Sequence, residues 1–330
     1  MVCVAQSVLI CVHANPAACS SKIMQYSKEI KTGFAALAGR PNVGKSTLMN
    51  ALVEKKVSII SHIPQTTRHL IRGILNTPGA QIVFVDGPGI HSFKEPLAQH
   101  LNAIAKRSLK DTDLVLYVVD TSRQPAAEEE KIIRNVLLAR TNVVMALNKI
   151  DKRTTFINDY IKFWQDRESK MRGKKSKLLY YIPISAKTGQ NLEDLVEAVK
   201  ENLPVGHPLY ERDAVTDFPL KFRAADVIRE KLFLKLKKEL PHSIAVEIEG
   251  IEDRGKIVYI DTNIYVNRTS QKRIVIGKGA ELIRDIGTAS RIELESIFGK
   301  KVYLDTHVKV LSDWQKKPRI LKSLGYDDTY

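Results

Sequence analysis

The 330-residue chain has no cysteine after position 19. Its three cysteines, Cys3, Cys11 and Cys19, have a spacing that fits neither a zinc knuckle nor a disulfide framework. We therefore expect a reducing compartment and no structural disulfide. Long apolar runs are also missing. No stretch of about eighteen apolar residues occurs, so the sequence predicts no membrane-spanning helix.

The first 31 residues lack the marks of a targeting signal. No Lys or Arg precedes Lys22, whereas secretory signals start with basic residues and mitochondrial transit peptides are rich in arginine. We predict a poorly ordered leader over residues 1–31, with Met24 as an alternative initiator.

Acidic residues are scarce relative to basic ones. The chain has 52 Lys and Arg against 37 Asp and Glu, a net charge of +15. A surplus of this size favours a polyanionic partner such as RNA, or an anionic membrane surface. Charge alone does not choose between the two.

Apolar strand patterns alternate with helical patterns over residues 32–203, which predicts an α/β domain with a mostly parallel sheet. Ligands of such sheets bind at the carboxyl ends of the strands. The predicted strands are Phe34–Ala38, Ile82–Val85, Leu114–Val119, Val143–Leu147 and Leu179–Ile184. The predicted helices begin at Ser46 and cover Leu97–Leu109, Glu128–Leu138, Ile157–Lys170 and Leu192–Asn202.

A different pattern follows a Pro- and Gly-containing segment, residues 204–218, which predicts a linker. Residues 219–330 predict an α+β module with two helical stretches around Gly287. Its other predicted elements are a helix at Val227–Leu240 and strands at Ser243–Glu249, Lys256–Tyr265, Lys272–Ile276 and Val302–Val310.

The segment after the first predicted strand matches the phosphate-binding motif G-x-x-x-x-G-K-S. Its glycines let backbone N–H groups face phosphate oxygens, and the helix that follows adds its positive end. We expect Lys45 to reach the β- and γ-phosphates and the Ser46 hydroxyl to bind Mg²⁺. The nucleotide-binding candidates here are Gly39, Arg40, Pro41, Asn42, Val43, Gly44, Lys45, Ser46 and Thr47.

Two further motifs indicate that the base is guanine. Asn148-Lys149-Ile150-Asp151 follows a predicted strand, and the Asp151 carboxylate can accept hydrogen bonds from both N1–H and the exocyclic amine of guanine. Asn148 and Lys149 would brace the base and the phosphate loop. Ser185-Ala186-Lys187 follows the next strand, where the Ala186 N–H can meet the guanine O6.

Two loops between these motifs predict a switch. Asp86-Gly87-Pro88-Gly89 fits D-x-x-G, in which Asp86 would hold Mg²⁺ and the Gly89 N–H would sense the γ-phosphate. Gln65-Thr66-Thr67-Arg68 contains a threonine that would bind Mg²⁺ and release it after hydrolysis. We favour Thr67 over Thr66.

Together these motifs resemble the Era family of bacterial ribosome-assembly GTPases, over Thr32–Tyr326. The most family-specific signals are Gln65–His69, within the block Pro64–His69, and Leu324-Gly325-Tyr326. Leu240–Ser243, before a predicted strand, also resembles the family's RNA-binding module. The resemblance implies a P-loop GTPase domain with a type II KH domain. It also implies binding to the 3′ end of 16S rRNA during 30S subunit assembly, as a cytoplasmic monomer. Peripheral association with the inner membrane is left open.

Three positions near the phosphates bear on catalysis. Gly87 stands where the family usually has Thr, which suggests a more flexible loop and a weaker switch. Ile90 stands where signalling GTPases carry a water-orienting glutamine, so intrinsic hydrolysis should be slow. Asn42 stands where relatives use an asparagine to coordinate K⁺, so K⁺ stimulation is expected. The expected catalytic set, acting by positioning and charge neutralisation, is Lys45, Asn42, Thr67 and Gly89.

The G-x-x-G loop with which KH domains clamp nucleotide backbone is matched by Gly277-Lys278-Gly279-Ala280. Ala280 stands in place of the second glycine, and a positive φ there would be strained. Lys278 is placed to meet phosphate. Trp314 fits either stacking on RNA or packing in the core, and the helix around Arg229–Lys238 fits a solvated face.

Two other functions fit parts of the sequence. The first is a KH-type RNA-binding protein with vestigial GTP hydrolysis, which the residues at 87 and 90 support. The second is a tRNA-modification GTPase, which the loop at 277–280 and its β-rich surroundings argue against.

Overall fold

The structure is a computed structural model that describes residues 29–63, 66–89, 96–109, 112–173, 175–236 and 240–326. Most of the predicted leader, Pro64, Gln65 and Ile90 lie outside the described residues. The predictions made for them therefore stay predictions.

Within the described residues, the larger sheet has seven strands and the order β2-β3-β1-β4-β5-β6, with β7 paired to the start of β1. The five strands β3, β1, β4, β5 and β6 run parallel, whereas β2 is antiparallel to β3. The strands are β1 (Ile30–Ala38), β2 (Ile71–Thr77), β3 (Ala80–Asp86), β4 (Leu114–Asp120), β5 (Asn142–Asn148), β6 (Lys177–Ile184) and β7 (Val205–Gly206).

Helices cover both faces of this sheet, which is why every residue of β3 and β4 is buried. The helices are α1 (Lys45–Leu52), α2 (Pro96–Ser108), α3 (Ala127–Leu138), α4 (Ile157–Lys170) and α5 (Leu192–Glu201). These bounds follow the sequence predictions closely. The antiparallel strand β2 was not predicted.

The smaller sheet has the order β10-β9-β8, with β10 parallel and β8 antiparallel to β9. Three helices pack on one face and bury a separate apolar core. The elements are α6 (Leu220–Lys235), β8 (Ala245–Asp253), β9 (Ile257–Val266), α7 (Thr269–Ile276), α8 (Glu281–Phe298), β10 (Lys301–Val310) and α9 (Pro318–Ser323).

The prediction of a strand at Lys272–Ile276 is wrong, because these residues end helix α7. The β-branched run Ile274–Ile276 favours a strand by propensity. The Gln271 side chain overrides it, because its Oε1 accepts hydrogen bonds from the backbone N–H groups of Asn267 (2.9 Å) and Arg268 (3.1 Å) and so caps the helix. The two stretches predicted around Gly287 are the single helix α8.

The segment predicted to be a linker lies against the larger sheet. After β7, the backbone N–H groups of Leu209 and Tyr210 donate to Gln81 Oε1, at 2.7 and 2.9 Å. Gln81 Nε2 donates back to the Tyr210 carbonyl at 2.9 Å. Because Gln81 is fully buried, the segment is anchored and not a free tether.

The half of the molecule that contains the larger sheet and the half that contains the smaller sheet share an apolar contact. In it, Leu97 and Leu101 of α2 pack with Trp314 and Tyr326. Trp314 is fully buried, and its Nε1–H donates to the Ser243 carbonyl at 2.9 Å. Trp314 therefore packs in the core, and the alternative of stacking on RNA is wrong. None of the helices in the described ranges has the length and apolarity needed to cross a bilayer.

Candidate nucleotide-binding site

A cavity of 480 Å³ opens at the carboxyl edge of the larger sheet, where β1 and β5 end. It is lined by most of the residues that the motifs predicted. These lining residues are Pro41, Asn42, Gly44, Lys45, Ser46, Thr47, Thr67, Gly89, Asn148, Lys149, Asp151, Ala186 and Lys187.

The phosphate loop needs glycine at two positions for different reasons. A Cβ at Gly39 would lie 2.4 Å from the Val118 carbonyl, so only glycine lets the loop leave β1 against β4. Gly44 has a φ of 102°, and a Cβ there would lie 2.5 Å from Asn148 Nδ2. The second glycine therefore allows the phosphate loop to approach the guanine motif.

Lys45 is buried at the start of α1. Its ammonium group donates to the carbonyls of Gly39 (3.2 Å) and Arg40 (3.0 Å). Burial lowers the pKa of Lys45, and the carboxylates of Asp86 and Glu129 oppose that shift. The lysine is thus held on the phosphate loop, where a nucleotide phosphate can take over its hydrogen bonds.

Three side-chain oxygens converge beside Lys45. Ser46 Oγ donates to Asp86 Oδ2 at 2.6 Å and lies 3.1 Å from Thr67 Oγ1. Asp86 Oδ1 is buried and has no hydrogen-bond partner among the described residues. Burial raises the pKa of Asp86, so a nearby cation would stabilise its charged form. Oxygen donors with an unpartnered carboxylate fit Mg²⁺.

The two candidate threonines differ in what their hydroxyls contact. Thr66 Oγ1 donates to the Ile63 carbonyl at 2.5 Å, whereas Thr67 Oγ1 faces Ser46. This geometry favours Thr67 as the metal ligand.

Asn148 links the phosphate loop to the loop that contains Ser185 and Ala186. Its Nδ2 donates to the Val43 carbonyl at 2.8 Å, and its Oδ1 accepts the Ala186 N–H at 2.9 Å. On the cavity wall, Asp151 Oδ1 accepts a hydrogen bond from Ser185 Oγ at 2.8 Å. Ser185 does not line the cavity and instead orients the Asp151 carboxylate through this hydrogen bond.

Lys149 braces the phosphate loop from the guanine motif. Its ammonium group donates to the Asn42 carbonyl at 2.9 Å and to Asp120 Oδ2 at 2.7 Å. Burial raises the pKa of Asp120, but the hydrogen bonds from Lys149 and Ser122 outweigh it and hold the pKa below the usual range. These two hydrogen bonds therefore fix the lysine side chain against the phosphate loop.

Arg40 was predicted to contact the nucleotide, but its side chain points away from the cavity. The guanidinium is fully buried, forms an ion pair with Glu129, and donates to Tyr160 Oη at 2.9 Å. The motif specifies the backbone path at this position, whereas Glu129 and Tyr160 determine the direction of the side chain. The other predicted residues that do not line the cavity are Gly39, Val43, Asp86, Gly87 and Pro88. Asp86 lies behind Ser46, from which it accepts a hydrogen bond at 2.6 Å.

Gly89 approaches the phosphate loop closely, since a Cβ there would lie 3.1 Å from the backbone nitrogen of Pro41. A Cβ at Gly87 would lie 3.3 Å from Leu70 Cδ1, so a larger residue would require this side chain to move. The weaker switch expected from Gly87 stays a prediction.

The segment Ile59–Ile63, between α1 and Thr67, also lines the cavity and was not predicted from the sequence. Asn42 Nδ2 donates to the His62 carbonyl in this segment at 2.7 Å. No motif marks these residues because they contribute backbone. Their position just before the loop that contains Thr66 and Thr67 was the one feature of the sequence that could have indicated their place at the cavity.

The candidate RNA loop connects α7 to α8. Lys278 and Gly279 are exposed, and Gly277, Gly279 and Ala280 have φ values of 78°, 57° and 60°. Ala280 has the positive φ that would be strained for a residue with a side chain, and an L-residue there costs roughly 1–2 kcal/mol. The loop thus keeps the conformation of a glycine turn at the expense of strain.

Comparison with known proteins covers both halves. Residues 34–149 match a family of 50S ribosome-binding GTPases, and residues 239–315 match the KH domain. The chain is 40% identical to GTPase Era of Geobacter metallireducens over 299 residues, covering 90% of this chain and 98% of that protein. It is 42% identical to GTPase Era of Thermotoga maritima over 308 residues, covering 91% and 98%.

Solved structures agree. A crystal structure of an Aquifex aeolicus Era variant with one tyrosine-to-alanine substitution, bound to GDP·AlF4⁻, superposes with a TM-score of 0.82 at 38% identity, covering 90% of this chain and 99% of that one. A crystal structure of Era with MgGDPNP and nucleotides 1506–1542 of 16S ribosomal RNA has the same TM-score, identity and coverage. The predicted fold, the KH domain and the GTPase activity are thereby confirmed.

Proposed function

Since the chain belongs to the Era family of GTPases, we propose that it is a GTP-dependent switch that binds the 3′ end of 16S rRNA and assists 30S subunit assembly. The observation that carries the proposal is the convergence of Ser46, Thr67 and Asp86 beside the phosphate loop, in a chain that also contains a KH domain.

The nucleotide site works by positioning and charge neutralisation. Ser46, Asp86 and Thr67 would hold Mg²⁺, which when bound neutralises charge on the β- and γ-phosphate oxygens. Lys45 binds the same phosphates, and the Gly89 N–H contacts the γ-phosphate. When that phosphate leaves, Thr67 and Gly89 lose a partner and their loops relax. This relaxation changes how the KH domain is presented to RNA.

The RNA partner is supported by the loop at 277–280, the surplus of positive charge and the relative solved with a 16S rRNA segment. Exposed Lys278 contacts phosphate, and the loop backbone follows the nucleotide chain. With a ribosomal RNA partner, we expect a cytoplasmic monomer. The surplus of positive charge also favours an anionic membrane surface, so peripheral membrane association stays a prediction.

A potassium ion beside the transferred phosphate is the second part of the proposal. Asn42 is at the cavity wall and already contacts the His62 carbonyl, and an amide oxygen and carbonyls are ligands for such a cation. We expect faster GTP turnover in KCl than in NaCl of equal ionic strength, and Asn42→Ala should abolish the difference. Equal wild-type rates in the two salts would refute the potassium site.

The base-selecting role of Asp151 provides the main test. We expect Asp151→Asn to weaken GTP binding about 10- to 150-fold, because one charged hydrogen-bonding partner is worth about 1.5–3 kcal/mol. Xanthine carries an oxygen where guanine carries its amine, so the variant should prefer XTP. Turnover of both nucleotides, with and without the 3′ segment of 16S rRNA, measures base selection and the coupling to RNA together.

The outcomes separate the proposed switch from the alternative of an RNA-binding protein with vestigial hydrolysis. Wild-type turnover that rises with RNA supports the switch. Tight GTP binding without turnover, under every RNA and potassium condition, supports the alternative. An Asp151→Asn variant that still prefers GTP would show that the base binds elsewhere.

A further inference from the structure

The loop that contains Thr67 lies between the two halves of the molecule. Arg68 is fully buried, and its guanidinium donates to the Ile244 carbonyl at 2.8 Å. His69 is also buried, and its Nε2 lies 2.9 Å from the Leu324 carbonyl. The residue before β8 and the C-terminal end of the described chain therefore hold this loop.

Arg229 of α6 contacts the residue that precedes Thr67. Its Nη2 donates to the Thr66 carbonyl at 2.9 Å, and its Nη1 donates to Tyr326 Oη at 2.9 Å. Asp226, one turn earlier, pairs with the same guanidinium at 2.8 Å. The side chain of Arg229 is only 1% exposed, so these three partners fix its orientation.

The Thr66 carbonyl belongs to the peptide that joins Thr66 to Thr67. Fixing this peptide sets where Thr67 Oγ1 points, and that atom lies 3.1 Å from Ser46 Oγ. A guanidinium from the KH-containing half is thus one peptide away from a predicted ligand of the catalytic metal.

We propose that Arg229 is a positioning residue for GTP hydrolysis, which holds the Thr66–Thr67 peptide so that Thr67 reaches the metal. Tyr326 and Asp226 orient the guanidinium. The inference rests on the proposed function, specifically on Thr67 as a metal ligand.

The same helix also gives RNA a route to the nucleotide site. Helix α8 begins directly after the RNA loop, and Glu293 of α8 pairs with Lys231 of α6 at 2.5 Å and with Lys56 at 2.8 Å. If RNA binding displaces α8, the displacement would act on α6, which carries Arg229. Coupling between the two sites is reciprocal, so GTP should in turn change RNA affinity through the same contacts.

The test compares two arginines of α6. Arg229→Lys keeps the charge but loses the planar fork that contacts Thr66 and Tyr326 together. Arg223→Lys is the matched control, because Arg223 Nη2 also donates to a carbonyl of the other half, that of Lys56, at 2.8 Å. GTP turnover of the full chain, its dependence on Mg²⁺ concentration and GDP affinity are measured for both variants.

For Arg229→Lys we expect kcat to fall about tenfold, the loss of one charged hydrogen bond. The Mg²⁺ concentration for half-maximal turnover should rise several-fold. GDP affinity should stay within about twofold of wild type, because Thr67 acts only when the γ-phosphate is present. Arg223→Lys should match wild type in all three measurements. A purely structural role for Arg229 would not raise the Mg²⁺ requirement.

Unchanged turnover and Mg²⁺ dependence in Arg229→Lys would overturn the proposal, and so would an equal effect of Arg223→Lys. If Arg229→Lys fails to fold, Tyr326→Phe keeps the ring and removes only the hydroxyl. This second variant should show a smaller change in the same direction, and wild-type values in it would also overturn the proposal. Thr67→Ala tests the premise separately, since an unaltered Mg²⁺ dependence there would remove Thr67 from the metal site itself.

Discussion

Ala280 has a left-handed backbone conformation, with a φ of 60° and a ψ of 22°, where the loop at 277–280 joins α8. We predict that Ala280→Gly raises the free energy of unfolding by about 1 kcal/mol, because glycine adopts this conformation without a steric penalty. Chemical denaturation of the full chain measures the change. Ala289→Gly, in the middle of α8, is the control and should instead destabilise by about 1 kcal/mol. If both substitutions lowered the free energy of unfolding, the backbone of Ala280 would not be strained.

Single residues of the nucleotide motifs were predictable because the motifs specify a backbone path. The cavity is lined by Lys45, Asn148 and Asp151, as expected. The short loops that follow their strands place these residues at the carboxyl edge of the sheet. The Arg40 side chain was not predictable in this way. Its direction depends on Glu129 and Tyr160, which come from helices far along the chain.

The segment after β7 depends on one buried amide, so its stability is a property of the element. We predict that Gln81→Leu lowers the free energy of unfolding by about 2–3 kcal/mol. The substitution removes the shared hydrogen-bond acceptor of the part-buried backbone N–H groups of Leu209 and Tyr210 and places an apolar side chain beside them. Limited proteolysis should then cut near residue 210 sooner than in wild type. Gln315→Leu, a change at a residue far from this segment, is the control and should leave the cleavage rate unchanged.

Elements were predictable where periodicity and packing agree, as in β4, whose seven residues are all apolar or buried. The prediction failed for α7, where local propensity favours a strand and a single side-chain cap decides for a helix. Strand β2 was missed because Gly73 and Asn76 interrupt its apolar pattern, and its pairing with β3 supplies the regularity that the sequence lacks.

At the scale of the whole molecule, a buried carboxylate lies at the contact between the two halves. Asp226 of α6 pairs with Arg229 of the same helix and also contacts His69 of the other half. Burial raises the pKa of Asp226, but Arg229 and His69 outweigh it and lower the pKa below the usual range. The stabilisation from this carboxylate is therefore present above its unfolded pKa of about 4, and is lost as the pH falls through the lower folded pKa.

We predict that Asp226→Asn costs about 3–5 kcal/mol at pH 7, because it leaves Arg229 buried without its charge partner. The difference in the free energy of unfolding between this variant and wild type should narrow as the pH falls below about 4. Denaturation curves at several pH values measure the gap. Asp313→Asn removes an exposed partner of Lys316 and should cost less than about 1 kcal/mol at any pH. A gap of constant size for Asp226→Asn would contradict the pKa shift.

This interface was the least predictable part of the molecule. The helix around Arg229 fits a solvated face by composition, and that interpretation is wrong at Arg229 and Glu230, which are buried. Their partners are Thr66, Tyr326 and Ile60, at large sequence separation. Nothing in one sequence states which distant groups will neutralise a charge, so the contact between the halves required the structure.

Strand β1 has a mechanical consequence. Its first residues, Ile30 and Lys31, pair with β7, the last strand of the larger sheet before the chain reaches the KH domain, and its last residue leads into the phosphate loop. Once the contacts of Leu209 and Tyr210 with Gln81 had broken, tension on the KH-containing half would reach the strand that ends at the phosphate loop. Force spectroscopy along this axis should therefore find nucleotide release sensitive to pulling.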